Sequence, residues 1–235
     1  MILTNIVNPN MKIKNRSVFR KLLNSLTPRF VFLFSIRRLS QRNHWKDQKL
    51  GDVHGYDKYT QERPQTPYLI KEVESRVQKQ DAILDLGCNC GYYLYSLKKA
   101  GYTNLSGVDI SRHAIEFGKK EFGLPDATMT VGAFEDVLPS FVSQQRKFEL
   151  IFSMGATIEL VHPAFDIIKY MTSLSQKYVI LFIQEWGHTS PRLYEYEFQK
   201  HGFLMVKCIR PYDGSEVINA NLAVIPSLLV FQKIS

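Results

Sequence analysis

Residues 82–101 read AILDLGCNCGYYLYSLKKAG. An apolar run, Ala82-Ile83-Leu84, ends in an acid, Asp85. Gly87, Asn89 and Gly91 follow at a spacing of two, and a helix-like stretch begins directly after them. A glycine-rich turn between a strand and a helix lets the main chain come close to a ligand and presents N–H groups from the helix start. The middle position is asparagine, which tolerates left-handed backbone better than other non-glycine residues. Asn89 is therefore expected to hold the same turn and to bring an amide near the ligand.

The rest of the chain places this turn in a larger pattern. Strand-like runs occur at 82–86, 104–109, 127–131, 148–153, 178–184, 203–209 and 227–233. Helix-like stretches lie at 68–78, 91–100, 111–122, 163–175 and about 190–201. Such alternation implies βαβ units, a doubly wound and mainly parallel sheet, and helices on both faces. The last two runs have no helix between them. The segment joining them carries Asp213-Gly214, a turn signal, so they read as a C-terminal antiparallel hairpin.

In an open parallel sheet, ligands bind beyond the carboxyl ends of the strands. The run 104–109 ends in Gly107-Val108-Asp109, which sets a second acid at the tip of a neighbouring strand. A carboxylate there has two oxygens with which to accept both hydroxyls of a ribose.

The pattern Asp85-x-Gly87-x-Asn89-x-Gly91 resembles motif I of the class I S-adenosylmethionine-dependent methyltransferases, usually D/E-x-G-x-G-x-G. LSGVDISRHAIEFGKK (105–120) resembles the family's motif II, TVGAFEDVLP (130–139) the block that touches adenine, and FELIFSMGATIEL (148–160) the fourth strand and its active-site edge. The resemblance covers about residues 66–210 and implies a Rossmann-like methyltransferase sheet of seven strands with S-adenosylmethionine as cofactor. It implies that Asp85 meets the methionine amino group, directly or through water. The main chain at Gly87, Asn89 and Gly91 approaches the methionine and ribose, Asp109 holds the ribose hydroxyls, and Ile110 packs on adenine. The frequent acid after Gly132 is Ala133 here, so the adenine amine falls to Glu135, Asp136 or a backbone carbonyl, with Phe134 packing nearby. Ser153 and Met154 line the methionine end.

Composition sets the outer limits. The chain has 235 residues, 45% hydrophobic and 22% charged, as a folded globular chain has. Its longest apolar candidate in the first part, Phe30–Ile36, falls short of a membrane span and lacks a secretory cleavage pattern. The three cysteines form no disulfide framework, and Cys88-x-Cys90 lacks further ligands for a metal, so no metal site is expected. The net charge of +8 is uneven. Residues 1–49 carry eleven Lys and Arg and one acid, Asp47, a net of +10, and the remainder sums to −2. Two domains follow: a basic arm with short amphipathic helices over 1–49, and a methyltransferase domain over 50–235. The arm reads as packed on the body, or as a contact to an anionic membrane surface, or, ranked lower, as a nucleic-acid contact or a targeting segment. A cytoplasmic location, peripheral to a membrane if the arm binds one, is the expectation.

Methyl transfer from a sulfonium is an in-line displacement, so the protein supplies chiefly alignment and exclusion of water. A base is needed only where the nucleophile is protonated. The segment FIQEWGHTSP (182–191) offers Glu185 and His188 as catalytic candidates, His188 first because imidazole titrates near neutrality. Glu159 and His162 come second, and Trp45, Tyr56 and Tyr59 are candidate lid aromatics. No N/D-P-P-Y/F tetrad, Pro-Cys nucleophile or acidic metal set is evident. The expected acceptor is therefore a small molecule, a sugar or a lipid-linked group. Two alternatives stand beside it: an RNA methyltransferase using the basic arm, and a cofactor-binding scaffold without catalysis.

Overall fold

The computed structural model describes residues 43–47, 49–52, 55–125, 128–155, 158–185, 192–210 and 225–234, without the side chains of 184, 185, 225 and 226. All of them belong to the unit Arg42–Ser235. The basic arm, apart from its last few residues, lies outside the described residues, as do His188 and the turn at Asp213-Gly214.

Seven strands form one sheet: β1 (Ile83–Leu86), β2 (Leu105–Asp109), β3 (Met129–Val131), β4 (Phe148–Met154), β5 (Ser175–Glu185), β6 (Phe203–Ile209) and β7 (Ile225–Lys233). Their order is β3-β2-β1-β4-β5-β7-β6. The first five run parallel, and β7 is antiparallel to both β5 and β6. The chain reverses its direction of winding between β1 and β4, which makes the carboxyl end of β1 a ligand-binding crevice in folds of this kind. The hairpin expectation holds. The last strand enters between β5 and β6 and leaves β6 at the edge.

Among the described residues six helices flank the sheet: α1 (Gln65–Glu74), α2 (Tyr92–Lys99), α3 (Arg112–Phe122), α4 (Phe134–Ser143), α5 (Ile167–Leu174) and α6 (Tyr194–Gln199). Strand side chains alternate between the faces. Ile83, Leu150, Phe152, Ile180, Phe182, Leu228 and Val230 pack with Leu69, Leu94, Leu97 and Ile115 from α1, α2 and α3. Leu84, Leu86, Ile151, Leu181, Leu229 and Phe231 pack with Leu138, Ile168, Met171 and Phe198 from α4, α5 and α6. Each such side chain contributes about 1.5–3 kcal/mol when fully buried. Both faces are covered, so β1, β4 and β5 read as near-continuous apolar runs rather than as alternating ones.

Several details depart from the sequence reading, among them the helix expected over 163–175, which spans Ile167–Leu174. α1 spans Gln65–Glu74 rather than 68–78. α4 was not among the expected helices, and it contains Pro139. Proline removes a helical N–H, but Val137, Leu138 and Phe141 are buried against the sheet, and tertiary burial outweighs the local penalty. Two helix starts carry side-chain caps: the Ser111 hydroxyl accepts the Ala114 N–H at 3.2 Å, and the Asp166 carboxylate the Lys169 N–H at 3.0 Å.

Candidate functional site

The turn from β1 into α2 is built as its residue types dictate. Gly87 and Gly91 have φ of 81° and 78°, and Asn89 has φ of 48°. Asn89 thus takes the left-handed conformation expected of it. Its amide, however, faces its own loop: the side-chain oxygen accepts the Cys90 N–H at 2.8 Å.

Every N–H from 87 to 91 has an acceptor within the protein. Gly87 and Cys88 donate to the Val108 carbonyl at 2.8 and 3.1 Å, and Gly91 to the Cys88 carbonyl at 2.8 Å. Asn89 donates to an Asp109 oxygen at 2.8 Å. The loop therefore offers a ligand a close main-chain surface rather than a set of donors. It is backed by α3, where a Cβ on Gly118 would stand 1.7 Å from the Cys90 carbonyl oxygen. The chain can pass this close to the loop only at a glycine.

Two acids stand at the tips of β1 and β2. Asp109 is half-buried; its second oxygen accepts the Ser111 N–H at 2.8 Å. Each carboxylate oxygen has a further lone pair, so both still have capacity for a diol. Asp85 differs. It is 0% exposed, and among the described residues neither of its oxygens has a hydrogen-bond partner. Burial, and after it the charge of Asp109, pushes its carboxyl well above the ordinary range. Burial also raises Asp109, against the opposing pull of the Ser111 and Asn89 N–H groups. A buried carboxylate without a partner is costly, and an ammonium group from a ligand would complete it. A molecule carrying both an amine and a ribose fits this pair, and S-adenosylmethionine carries both.

Other expected residues are placed as follows. Ile110 follows β2 and is half-buried. Phe134, Glu135 and Asp136 form the first turn of α4, with Phe134 packed on the core. The Ser153 hydroxyl, 2% exposed, donates to the Leu86 carbonyl at 2.8 Å and ties β4 to the end of β1. Met154 closes β4. Glu185 ends β5, and its side chain is outside the described set. Glu159 is buried in the one-turn helix Ile158–Leu160, and the His162 Nδ1 accepts the Ala164 N–H at 3.1 Å. Arg192, before α6, donates to the Val161 carbonyl at 3.2 Å and so joins the segments that follow β4 and β5. Among the described residues no group of three or more His, Cys, Asp or Glu could hold a metal ion. Cys88 and Cys90 are free and buried, and burial pushes the Cys90 thiol up to about 12.

The segment ahead of α1 covers this loop, which sequence reasoning registered only as candidate lid aromatics. The Cys90 thiol donates to the Tyr59 carbonyl at 3.4 Å, and the Tyr56 ring lies 5.0 Å from that of Phe117 on α3. Trp45 makes a ring contact with His44, at 5.4 Å. Arg63, whose guanidinium lies 4.5 Å from the Tyr59 ring centre, was not singled out by any motif.

The sheet order, the left-handed loop and the two strand-tip acids define a class I methyltransferase architecture. Residues 77–202 match the family model described as "Methyltransferase domain", and the chain belongs to that family. It is similar to ribosomal protein L11 methyltransferase from Burkholderia thailandensis, 30% identical over 97 residues, which are 37% of this chain and 32% of the relative. The same enzyme from Burkholderia multivorans is 31% identical over 107 residues, 42% of this chain and 35% of the relative. The match thus spans about a third of the length of these curated relatives. Among solved structures, magnesium protoporphyrin IX methyltransferase from Synechocystis PCC 6803 with bound SAM shares the fold at a TM-score of 0.57 and 13% identity, over 84% of this chain and 97% of that one. A TehB-like SAM-dependent methyltransferase from Corynebacterium glutamicum does so at 0.53 and 18%, over 70% and 86%.

Proposed function

We propose that this chain transfers a methyl group from S-adenosylmethionine to a small-molecule, sugar or lipid-linked acceptor. The unpartnered, fully buried Asp85 carboxylate carries the cofactor half of this reading. The cofactor supplies an electrophilic methyl on a positive sulfonium. Asp85 receives the ammonium and Asp109 the ribose hydroxyls. Ile110 and Phe134 pack beside adenine, with Glu135 reaching its amine. Gly87, Asn89 and Gly91 allow the close approach, and Ser153 braces the end of β1. Where the acceptor atom carries a proton, Glu185 or His188 after β5 takes it. The +10 arm over 1–49 favours an acceptor that is anionic or held at an anionic membrane surface.

A protein acceptor is the second reading, supported by the likeness to ribosomal protein L11 methyltransferases. Radiolabelled cofactor incubated with separate small-molecule, glycan, lipid, RNA and ribosomal-protein pools distinguishes these. Label in a low-molecular-weight or lipid product supports the first reading, and label in protein alone supports the second. Label in RNA, lost on deletion of residues 1–49, moves the acceptor to nucleic acid. Cofactor binding with no labelled product from any pool supports a scaffold role.

A further inference from the structure

We propose that the cavity between α6 and the start of α5 binds an uncharged sugar ring, laid on Tyr196 with its hydroxyls between Asp166, Glu197 and Arg192. The assignment rests on the acceptor reading above and selects its sugar class.

The cavity measures about 380 Å³, within the range of small-molecule sites. Its walls are α6, the residues just before and after that helix, and Pro163 and Asp166 ahead of α5. No part of its lining comes from the glycine-rich loop or the two strand-tip acids. It lies where the segments that follow β4 and β5 meet, joined by the hydrogen bond from Arg192 to the Val161 carbonyl.

The charges around it balance. Asp166 and Glu197 stand against Arg192 and Lys200, and His201 adds a ring that can donate or accept. An ion entering here meets repulsion as well as attraction. The opposite charges also do not close on one another. Arg192 lies 3.6 Å from Glu197 and His201 3.9 Å from Asp166, both beyond hydrogen-bond length. Of the Asp166 oxygens, Oδ1 accepts the Lys169 N–H at 3.0 Å, and Oδ2 is the one that faces His201. The Arg192 side chain is 7% exposed, and its Nε has no hydrogen-bond partner among the described residues.

Donors and acceptors thus line one cavity with capacity left over. A hydroxyl both donates and accepts, so a polyol serves both kinds at once. Tyr196, 60% exposed, and Leu193, 75% exposed, give the same cavity an open aromatic ring and an apolar edge. A sugar ring matches this set: its C–H face packs on the aromatic ring, and its rim of hydroxyls meets the charged groups.

Saturation-transfer NMR on the full chain tests the assignment. The probes are the methyl glycosides of glucose, mannose, galactose, N-acetylglucosamine and rhamnose, with glucose 6-phosphate and inorganic phosphate beside them. Saturation is expected on the ring protons of at least one neutral glycoside. Tyr196→Ala and Glu197→Gln are each expected to weaken that glycoside about tenfold, with the melting temperature and the affinity for S-adenosylhomocysteine unchanged. Binding of no glycoside, or equal binding by the wild type and both variants, overturns the assignment. Glucose 6-phosphate or phosphate bound more than about tenfold tighter than every neutral glycoside makes this an anion site and overturns it too. S-adenosylhomocysteine binding without glycoside binding sinks this assignment alone and leaves the cofactor reading standing. Glycoside binding that depends on Tyr196, without S-adenosylhomocysteine binding, supports the sugar site and overturns the cofactor reading.

Discussion

Asp109 closes the loop that it serves: one of its oxygens accepts the Asn89 N–H at 2.8 Å, twenty residues back in the chain. The other holds the Ser111 N–H at the start of α3. One carboxylate thus fixes the loop, starts a helix and keeps lone pairs for a ligand.

Asp109→Ala should therefore lower thermal stability and cofactor binding together. The expected loss of S-adenosylhomocysteine affinity is about 1–3 kcal/mol, with a lower melting temperature in the absence of ligand. Calorimetry and thermal unfolding on the same preparation check both. Weaker binding at unchanged melting temperature would mean the hydrogen bonds to Asn89 and Ser111 contribute little to folding.

Asp85→Asn should act in opposite directions on stability and binding. The folded-state carboxyl is raised above the ordinary value of 3.8, so the folded chain keeps a proton that the unfolded chain has released. Stability then falls as pH rises from 3.8 through the folded value; the penalty is absent below that window and complete above it. The asparagine variant should flatten this slope and gain about 1–3 kcal/mol at neutral pH. It should also lose most affinity for S-adenosylhomocysteine. In the wild type, the ligand's ammonium lowers the Asp85 carboxyl again, so binding should release a proton and weaken on acidification. Titrations in buffers of different ionisation enthalpy measure that release.

Gly118→Ala should separate α3 from the loop. The added Cβ meets the Cys90 carbonyl oxygen at 1.7 Å, against backbone that has nowhere to relax. A cost of about 1–3 kcal/mol, the usual range for overpacking, is expected in urea unfolding, with weaker ligand binding. Gly123→Ala, at the C-cap of the same helix, serves as a control: its Cβ meets nothing within 4 Å, so only the φ of +56° opposes it.

At Asn89, glycine and alanine should diverge. With φ at 48°, Asn89→Ala carries the left-handed penalty of about 1–2 kcal/mol and loses the bond to the Cys90 N–H. Asn89→Gly, which restores the family's commonest residue, keeps the conformation and should bind S-adenosylhomocysteine nearly as well as the wild type. Poor binding by the glycine variant would assign the amide a direct part in the site.

Away from the site, Glu72 joins α1 to the sheet edge. It is 2% exposed and pairs with Arg76 of the following turn, at 2.7 Å, and with Lys207 of β6. Glu72→Ala leaves two cations facing a buried position and should cost about 1–3 kcal/mol, since Lys207 retains some access to water. Denaturant unfolding should register the loss, while ligand affinity stays unchanged.

The parts of this protein legible in its sequence are those encoded locally. Apolar runs marked all seven strands within a few residues, because the central strands β1, β4 and β5 bury both faces. The acid-glycine spacing marked Asp85, Asn89 and Asp109, because left-handed turns and strand-tip acids restrict residue type at fixed offsets. α4 was left unmarked; its Pro139 weakens local propensity, and burial of Val137, Leu138 and Phe141 enforces the helix.

Tertiary structure alone decided the rest. It placed β7 between β5 and β6, an order set by sheet pairing and not by chain order. It turned the loop's N–H groups inward onto Val108 and Asp109, so the site presents surface rather than donors. It brought Tyr59 to Cys90 across 31 residues, with the Arg63 guanidinium on the Tyr59 ring. These are contacts between segments distant in sequence. They depend on which surfaces the packed sheet brings together, and no local pattern carries that information.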